Sequence, residues 1–164
     1  MNTTESDLMD RLLADWAAEC PTLDAKAMAV IGRIIRLGRR YEKDAAEALR
    51  PFRLPYTDFD ILATLRRNGA PYELTPGQLG DAVLLSSGAM TAALDRLQQA
   101  ALITRHDSPT DRRIKTARLT PTGKRLSKKA AAARFATATA ATTGLTERES
   151  EQLTRLLKKL TDTQ

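Results

Sequence analysis

Along most of this chain apolar residues recur at intervals of three and four, the spacing of one face of an α-helix. Leu8, Leu12, Leu13 and Trp16 predict an amphipathic helix over residues 6–19, ended by Pro21. A helix that short is marginal alone in water and must pack on something, in its own subunit or another. A longer helix follows over 23–49, with Met28, Ile31, Ile34, Ile35 and Leu37 crowding its middle. That patch is wider than one stripe requires, so the helix is expected to touch both its own domain and a second chain. Pro51 and Pro55 stop it. Phe59, Ile61, Leu62 and Leu65 mark a third helix over 57–68, closed by Asn68-Gly69.

Shorter elements come next. Tyr72-Glu73-Leu74 reads as an extended piece, and Thr75-Pro76-Gly77-Gln78 gives a capping box with Pro at the first helical position, opening a helix over 76–83. Ser86 and Ser87 stand where the next N-cap would stand, since a serine hydroxyl accepts free N–H groups of a first turn. Met90, Leu94, Leu97 and Ala101 follow at helical spacing. The opposite face, Ser87, Ala89, Thr91, Asp95 and Gln98, is small or polar and suits contact with a flat partner. Residues 102–106 and 113–119 read as strands, and 107–112 between them as a turn by composition, which makes a β-hairpin with a cationic tip. Thr120-Pro121 launches an Ala-rich helix to about Thr143, broken by Gly144. Thr146 and Glu149 form a second capping box, opening a last helix with Leu153, Leu156, Leu157 and Leu160 on one side. Because the helices at both chain ends carry apolar stripes, a dimer interface is expected there.

Composition narrows the class. At 164 residues and 42% hydrophobic content the chain can bury one real core, and the low aromatic share of 4% favours Ala- and Leu-based helix packing over a β-sandwich. No apolar run approaches the ~20 residues that span a bilayer, and the start of the chain is acidic and polar, so a cytoplasmic protein without membrane contact is expected.

Charge is unevenly spread. Residues 105–134 hold ten Lys and Arg against Asp107 and Asp111, a net of +8 where the whole chain is +6, leaving about −2 elsewhere. Local basicity of this kind suits a phosphate-binding surface better than a general solubility device. A solvated helix face is the plainer reading for 124–134, more so than for the hairpin.

The Ser-rich helix start, Asp95-Arg96-Leu97, Leu102-Ile103, Asp111-Arg112-Arg113, Leu119-Thr120 and Gly123 together resemble the winged helix-turn-helix of the MarR family of transcriptional regulators. A looser similarity extends over 24–162. The resemblance implies a mainly α, α+β fold of six to seven helices with a small β-hairpin wing. It implies one domain over 1–164, with dimerisation helices at 6–50 and 120–162 and a DNA-binding region at 57–119. It further implies a homodimer on a pseudo-palindromic double-stranded operator, probe helix 86–100 in the major groove and each wing in the adjacent minor groove.

The expected DNA contacts divide by task. Arg112, Arg113 and Lys115 suit the narrow, electronegative minor groove; by resemblance Arg113 is the wing arginine and Asp111 its orienting partner. Ser86 caps the probe helix, Ser87 and Thr91 can bond phosphates or base edges, and Ala89 or the Thr91 methyl can touch a thymine methyl. Long donors are scarce, since Ala92 stands where many relatives have a basic residue, so groove shape should matter. Arg96 is open between a phosphate contact and an ion pair with Asp95 or the wing.

Within the family the chain is similar to a branch with an added N-terminal helix, whose members respond to urate or related anions through a Trp, an Asp and two Arg. Trp16, Asp60 and Arg105 occupy matching positions; Ala93 stands where the second arginine would be, which counts against urate and leaves room for a different small organic anion. Each has a plainer reading too: Trp16 as core, Asp60 as a favourable charge near a helix start, Arg105 as a phosphate contact.

Rival readings are a redox-sensing regulator acting through Cys20 and a sequence-neutral architectural DNA binder. Cys20 has no basic residue within five positions to lower its pKa, and as the single cysteine it can form no intrachain disulfide. A winged helix that binds protein rather than DNA is a third. With one His, His106, and no His/Cys cluster, neither a metal nor a cofactor is expected. No phosphate loop or nucleophile motif supports an enzyme.

Overall fold

The computed structural model describes residues 6–83, 85–107 and 115–162. Two compact units emerge, residues 1–44 and 45–164.

In the first unit, helix α1 (Leu8–Glu19) starts at an N-cap the sequence reading missed: Asp7 accepts from the Asp10 N–H while the Asp10 carboxylate takes the Asp7 N–H. Helix α2 (Ala25–Leu49) begins two residues later than its pattern suggests, because Leu23 and Asp24 still belong to the turn after Pro21. Arg33 of α2 ties the two helices together, with Nη2 on Asp7 Oδ1 at 3.0 Å and on Asp10 Oδ1 at 2.7 Å. The Arg33 hydrogen bond holds the Asp10 carboxyl below its ordinary range. Gly32 lies under the Met9 side chain, so α1 sits close on α2. Between them opens a cavity of about 420 Å³ lined by Met9, Leu13, Trp16, Leu23 and Met28. Trp16 is 57% exposed, as are Met28, Ile31, Ile34, Ile35 and Leu37 to lesser degrees, so the plainer reading of Trp16 as buried core is not what this chain shows.

The second unit holds the main core. Leu49, Ile61, Leu62, Leu65, Leu79, Leu97 and Ile103 are fully buried there. After a short 3-10 turn (Arg50–Phe52) come α3 (Tyr56–Arg67), strand β1 (Glu73–Leu74), α4 (Pro76–Ala82), α5 (Ser87–Gln99), β2 (Ile103–Asp107), β3 (Lys115–Leu119), α6 (Pro121–Ala141) and α7 (Glu147–Thr161). The hairpin is therefore part of a three-stranded antiparallel sheet in the order β1-β3-β2. Glu73 pairs with Arg118, and Thr104 with Arg118 from the other side. The fold is a mainly α winged helix-turn-helix, with seven α-helices among the described residues.

Local chemistry sets the boundaries. The Thr75–Gln78 and Thr146–Glu149 capping boxes both form, and Thr120 caps α6 through the Gly123 N–H. α5 ends with Ala101 in the left-handed region, φ 53°, where its N–H reaches Gln98 O and the next N–H, of Leu102, reaches Leu97 O. Glycine is the usual residue at such a helix end, which is why an Ala there gave no stop signal in the sequence. Gly123 has a different reason: a Cβ there would lie 2.0 Å from the Leu102 carbonyl oxygen. α6 can leave the sheet at this angle only because the side chain is absent. α6 then packs on α3, and Gly123, Ser127 and Ala130 are its buried residues. Along α7, Leu153, Leu156, Leu157 and Leu160 are all exposed in the single chain.

Candidate nucleic-acid interface

α4 and α5 form the helix-turn-helix, and the sequence of α5 decides which side faces out. Met90, Ala93, Leu94 and Leu97 are buried; Ser86, Ser87, Ala89, Thr91 and Gln98 are exposed. Ser86 Oγ accepts from the Ala89 N–H at 3.4 Å, so its lone pair serves the cap. Thr91 Oγ1 donates to the Ser87 carbonyl at 3.0 Å. That bond uses the hydroxyl proton inside the helix, leaving Thr91 its methyl group and its acceptor lone pairs for a partner.

Two adjacent residues anchor α5 in different directions. Arg96 lies against Asp58 of α3 in a two-pronged pair, Nη2 to Oδ1 at 2.6 Å and Nε to Oδ2 at 3.3 Å. The Asp58 side chain is 6% exposed and that of Arg96 50%. Asp58 raises the Arg96 pKa above its already high value. The alternative that Arg96 pairs with Asp95 is corrected here: Asp95 accepts instead from Arg105 Nη2 of β2 at 2.7 Å. The other end of Arg105 has no such partner. Its Nε is buried without a hydrogen bond, and the residue helps line a small cavity of about 80 Å³ together with Pro76, Thr91, Leu94, Lys115, Thr116 and Ala117.

On the sheet, the exposed Lys115 pairs with Asp107 across the hairpin. This lysine, expected to contact the minor groove, thus shares its charge with a carboxylate in the free chain. Thr116 donates to Glu73, and Arg118 Nε to the same carboxylate at 2.6 Å. The Thr116 hydroxyl first, and Arg118 with it, hold the Glu73 carboxyl below its ordinary range against the opposing effect of burial. His106 Nε2 lies 2.8 Å from Thr104 Oγ1 on the exposed face. Asp111, Arg112 and Arg113 lie outside the described residues.

The residues expected to hold an anion are placed as follows. Trp16 belongs to the first unit, Asp60 and Arg105 to the second. Asp60 is half-buried on α3; burial raises its pKa and Arg67 partly offsets this. No hydrogen bond or ion pair joins Asp60 to Arg105, which is held by Asp95. Cys20 is half-buried, and among the described residues no group of three His, Cys, Asp or Glu is placed to hold a metal ion.

Comparison with known proteins gives the same outline. A family model described as MarR family matches residues 54–114. The HTH-type transcriptional regulator PecS of Dickeya dadantii (strain 3937) is 37% identical over 112 residues, 68% of either chain. A MarR mutant from E. coli, crystallised with operator DNA, shares the fold with a TM-score of 0.71 at 24% identity, over 88% of this chain and 96% of that one. Bordetella bronchiseptica BpsR, whose DNA binding is regulated by 6-hydroxynicotinic acid, does so with a TM-score of 0.70 at 22% identity, over 80% and 93%.

Proposed function

This chain belongs to the MarR family of transcriptional regulators, and on that premise we propose that it is a ligand-responsive repressor that grips a pseudo-palindromic operator as a homodimer. One observation carries the reading: α5 presents a small, polar, exposed face beside a basic hairpin, and ion pairs to α3 and β2 fix that face in place. Ser87, Ala89 and Thr91 would read the major groove, with Lys115, Arg112 and Arg113 in the minor groove and Asp111 orienting Arg113. Arg96 serves first as an anchor, and its exposed half remains within reach of phosphate. The exposed leucines of α7 and the apolar patch of α2 are the surfaces a second subunit would cover, within the 6–50 and 120–162 segments. Selection of bound sites from random duplexes tests this. Half-sites about 10 bp apart, and preference over bulk DNA by ~10³ or more, are expected. Uniform binding to all duplexes would favour the architectural reading.

The response to a small organic anion rests on Arg105. Arg105, whose Nε is buried and unpartnered, helps line a cavity that Thr91 of the reading face lines too. An anion that bonds Arg105 competes with Asp95 and so loosens one anchor of α5. Trp16, in the first unit, and Asp60, in the second, are further candidates for contact with such a ligand, each tested by its own substitution. Titration of the purified protein with small aromatic and aliphatic carboxylates, read as release of labelled operator, tests it; Arg105→Ala should abolish any release.

A further inference from the structure

The N-terminal half of α6 carries Lys124, Arg125, Lys128 and Lys129, and the whole helix has no acidic residue. Positions 124 and 128, and 125 and 129, form neighbouring rows turned away from the buried Gly123, Ser127 and Ala130. Arg66 of α3 comes to the same place, its Nη1 donating to the Lys124 carbonyl at 2.8 Å. Arg67 is exposed next to it in sequence, and Arg118 is exposed on β3 just before α6 begins. Lys124 Nζ lies 4.2 Å above the Tyr72 ring.

This arrangement works against the fold. Like charges four residues apart on a helix repel, and positive charge close to a helix N-terminus opposes its dipole. Among the described residues, none of Arg66, Lys124, Arg125, Lys128 and Lys129 has a carboxylate within ion-pair distance, and Glu73 is already occupied by Thr116 and Arg118. A small anion would need one or two of these groups. A row of cations spread over a strand end and two helix ends matches a row of phosphates. β3 leads from the wing directly into α6, and its Lys115 and Arg118, though paired with Asp107 and Glu73, stay exposed along that path.

We propose that the flank formed by β3, the end of α3 and the start of α6 holds the phosphate backbone of DNA that continues past the operator, once it has left the wing. This rests on the operator reading and requires the flanking duplex to bend toward the protein.

The test uses the selected operator in two lengths: the two half-sites alone, and the same core with about 10 bp of random sequence on each side, too short for a second dimer. The wild-type protein should bind the longer duplex ~10-fold more tightly at low salt, with a steeper salt dependence. R125Q/K128Q/K129Q should bind the short duplex as the wild type does, melt no lower than it because three mutually repelling charges are gone, and lose the advantage of length. Equal wild-type affinity for both lengths overturns the proposal, as does a triple variant that keeps the advantage or loses grip on the short duplex. Failure of the wild type to bind the short duplex would remove the operator reading itself, a separate result.

Discussion

Arg96, on the reading helix, closes over the buried carboxylate of Asp58, 38 residues earlier in the chain. The pair bolts α5 to α3. Removing Arg96 leaves a buried carboxylate without its counter-charge, whereas replacing Asp58 by Asn leaves only a half-exposed guanidinium free to turn to water. Arg96→Ala should lower Tm by roughly 5 °C or more and Asp58→Asn by less. Thermal melts of both and of the double variant check this; additive losses would mean the pair is not a unit.

Arg113→Ala should weaken operator binding by ~1–3 kcal/mol without changing Tm, since a wing arginine contributes to the complex and not to the core. Titration of labelled operator measures it, and unchanged affinity would end the assignment of that residue to the minor groove.

Glu73 links stability to pH. Its folded pKa lies below the ordinary value of 4.5, so its stabilising effect is complete above that value and drains away as pH falls through the lower, folded one. Melts between pH 6 and pH 3 should show Glu73→Gln less stable than wild type at the upper end, with the gap narrowing toward the lower.

Asp60 has the opposite sign. Burial raises its folded pKa, so the charged form costs stability above that value, and the cost vanishes once the group is protonated in both folded and unfolded states. Asp60→Asn should raise Tm by roughly 2 °C at neutral pH and by nothing near pH 3. Operator affinity should hold while the anion response weakens, which distinguishes a ligand contact from a merely tolerated charge.

Gly123→Ala should destabilise the second unit by ~3 kcal/mol, because a methyl group cannot share space with the Leu102 carbonyl and neither backbone can retreat alone. A denaturant midpoint equal to wild type would show that α6 swings away freely.

Much of this fold was legible in the order of residues because its boundaries are local. Thr75–Gln78 and Thr146–Glu149 satisfy their own orphan N–H groups, and Pro51 and Pro55 forbid continuation, whatever surrounds them. Features that depend on distant partners were not legible. The Asp58–Arg96 pair joins residues whose spacing carries no signal, and Asp95 sits beside Arg96 in sequence yet accepts from Arg105. That Lys115, read as a groove contact, also pairs with Asp107 shows only once the hairpin register sets the two opposite each other. At the interface, the outward set Ser87, Ala89 and Thr91 follows from helical period alone, whereas the loss of the Thr91 hydroxyl proton to Ser87 does not. The Asp7 capping box escaped notice because its N3 partner is Asp10, where Glu or Gln is the usual residue.

The neighbouring positions 95 and 96 are clamped to different elements, one to a strand and one to a helix. Such a helix has no freedom to roll about its own axis: turning either way breaks one clamp. While both clamps stay closed, any movement of α5 must carry the strand and α3 with it as a block, whereas a group that draws Arg105 away from Asp95 opens the strand clamp and leaves the helix held by α3 alone.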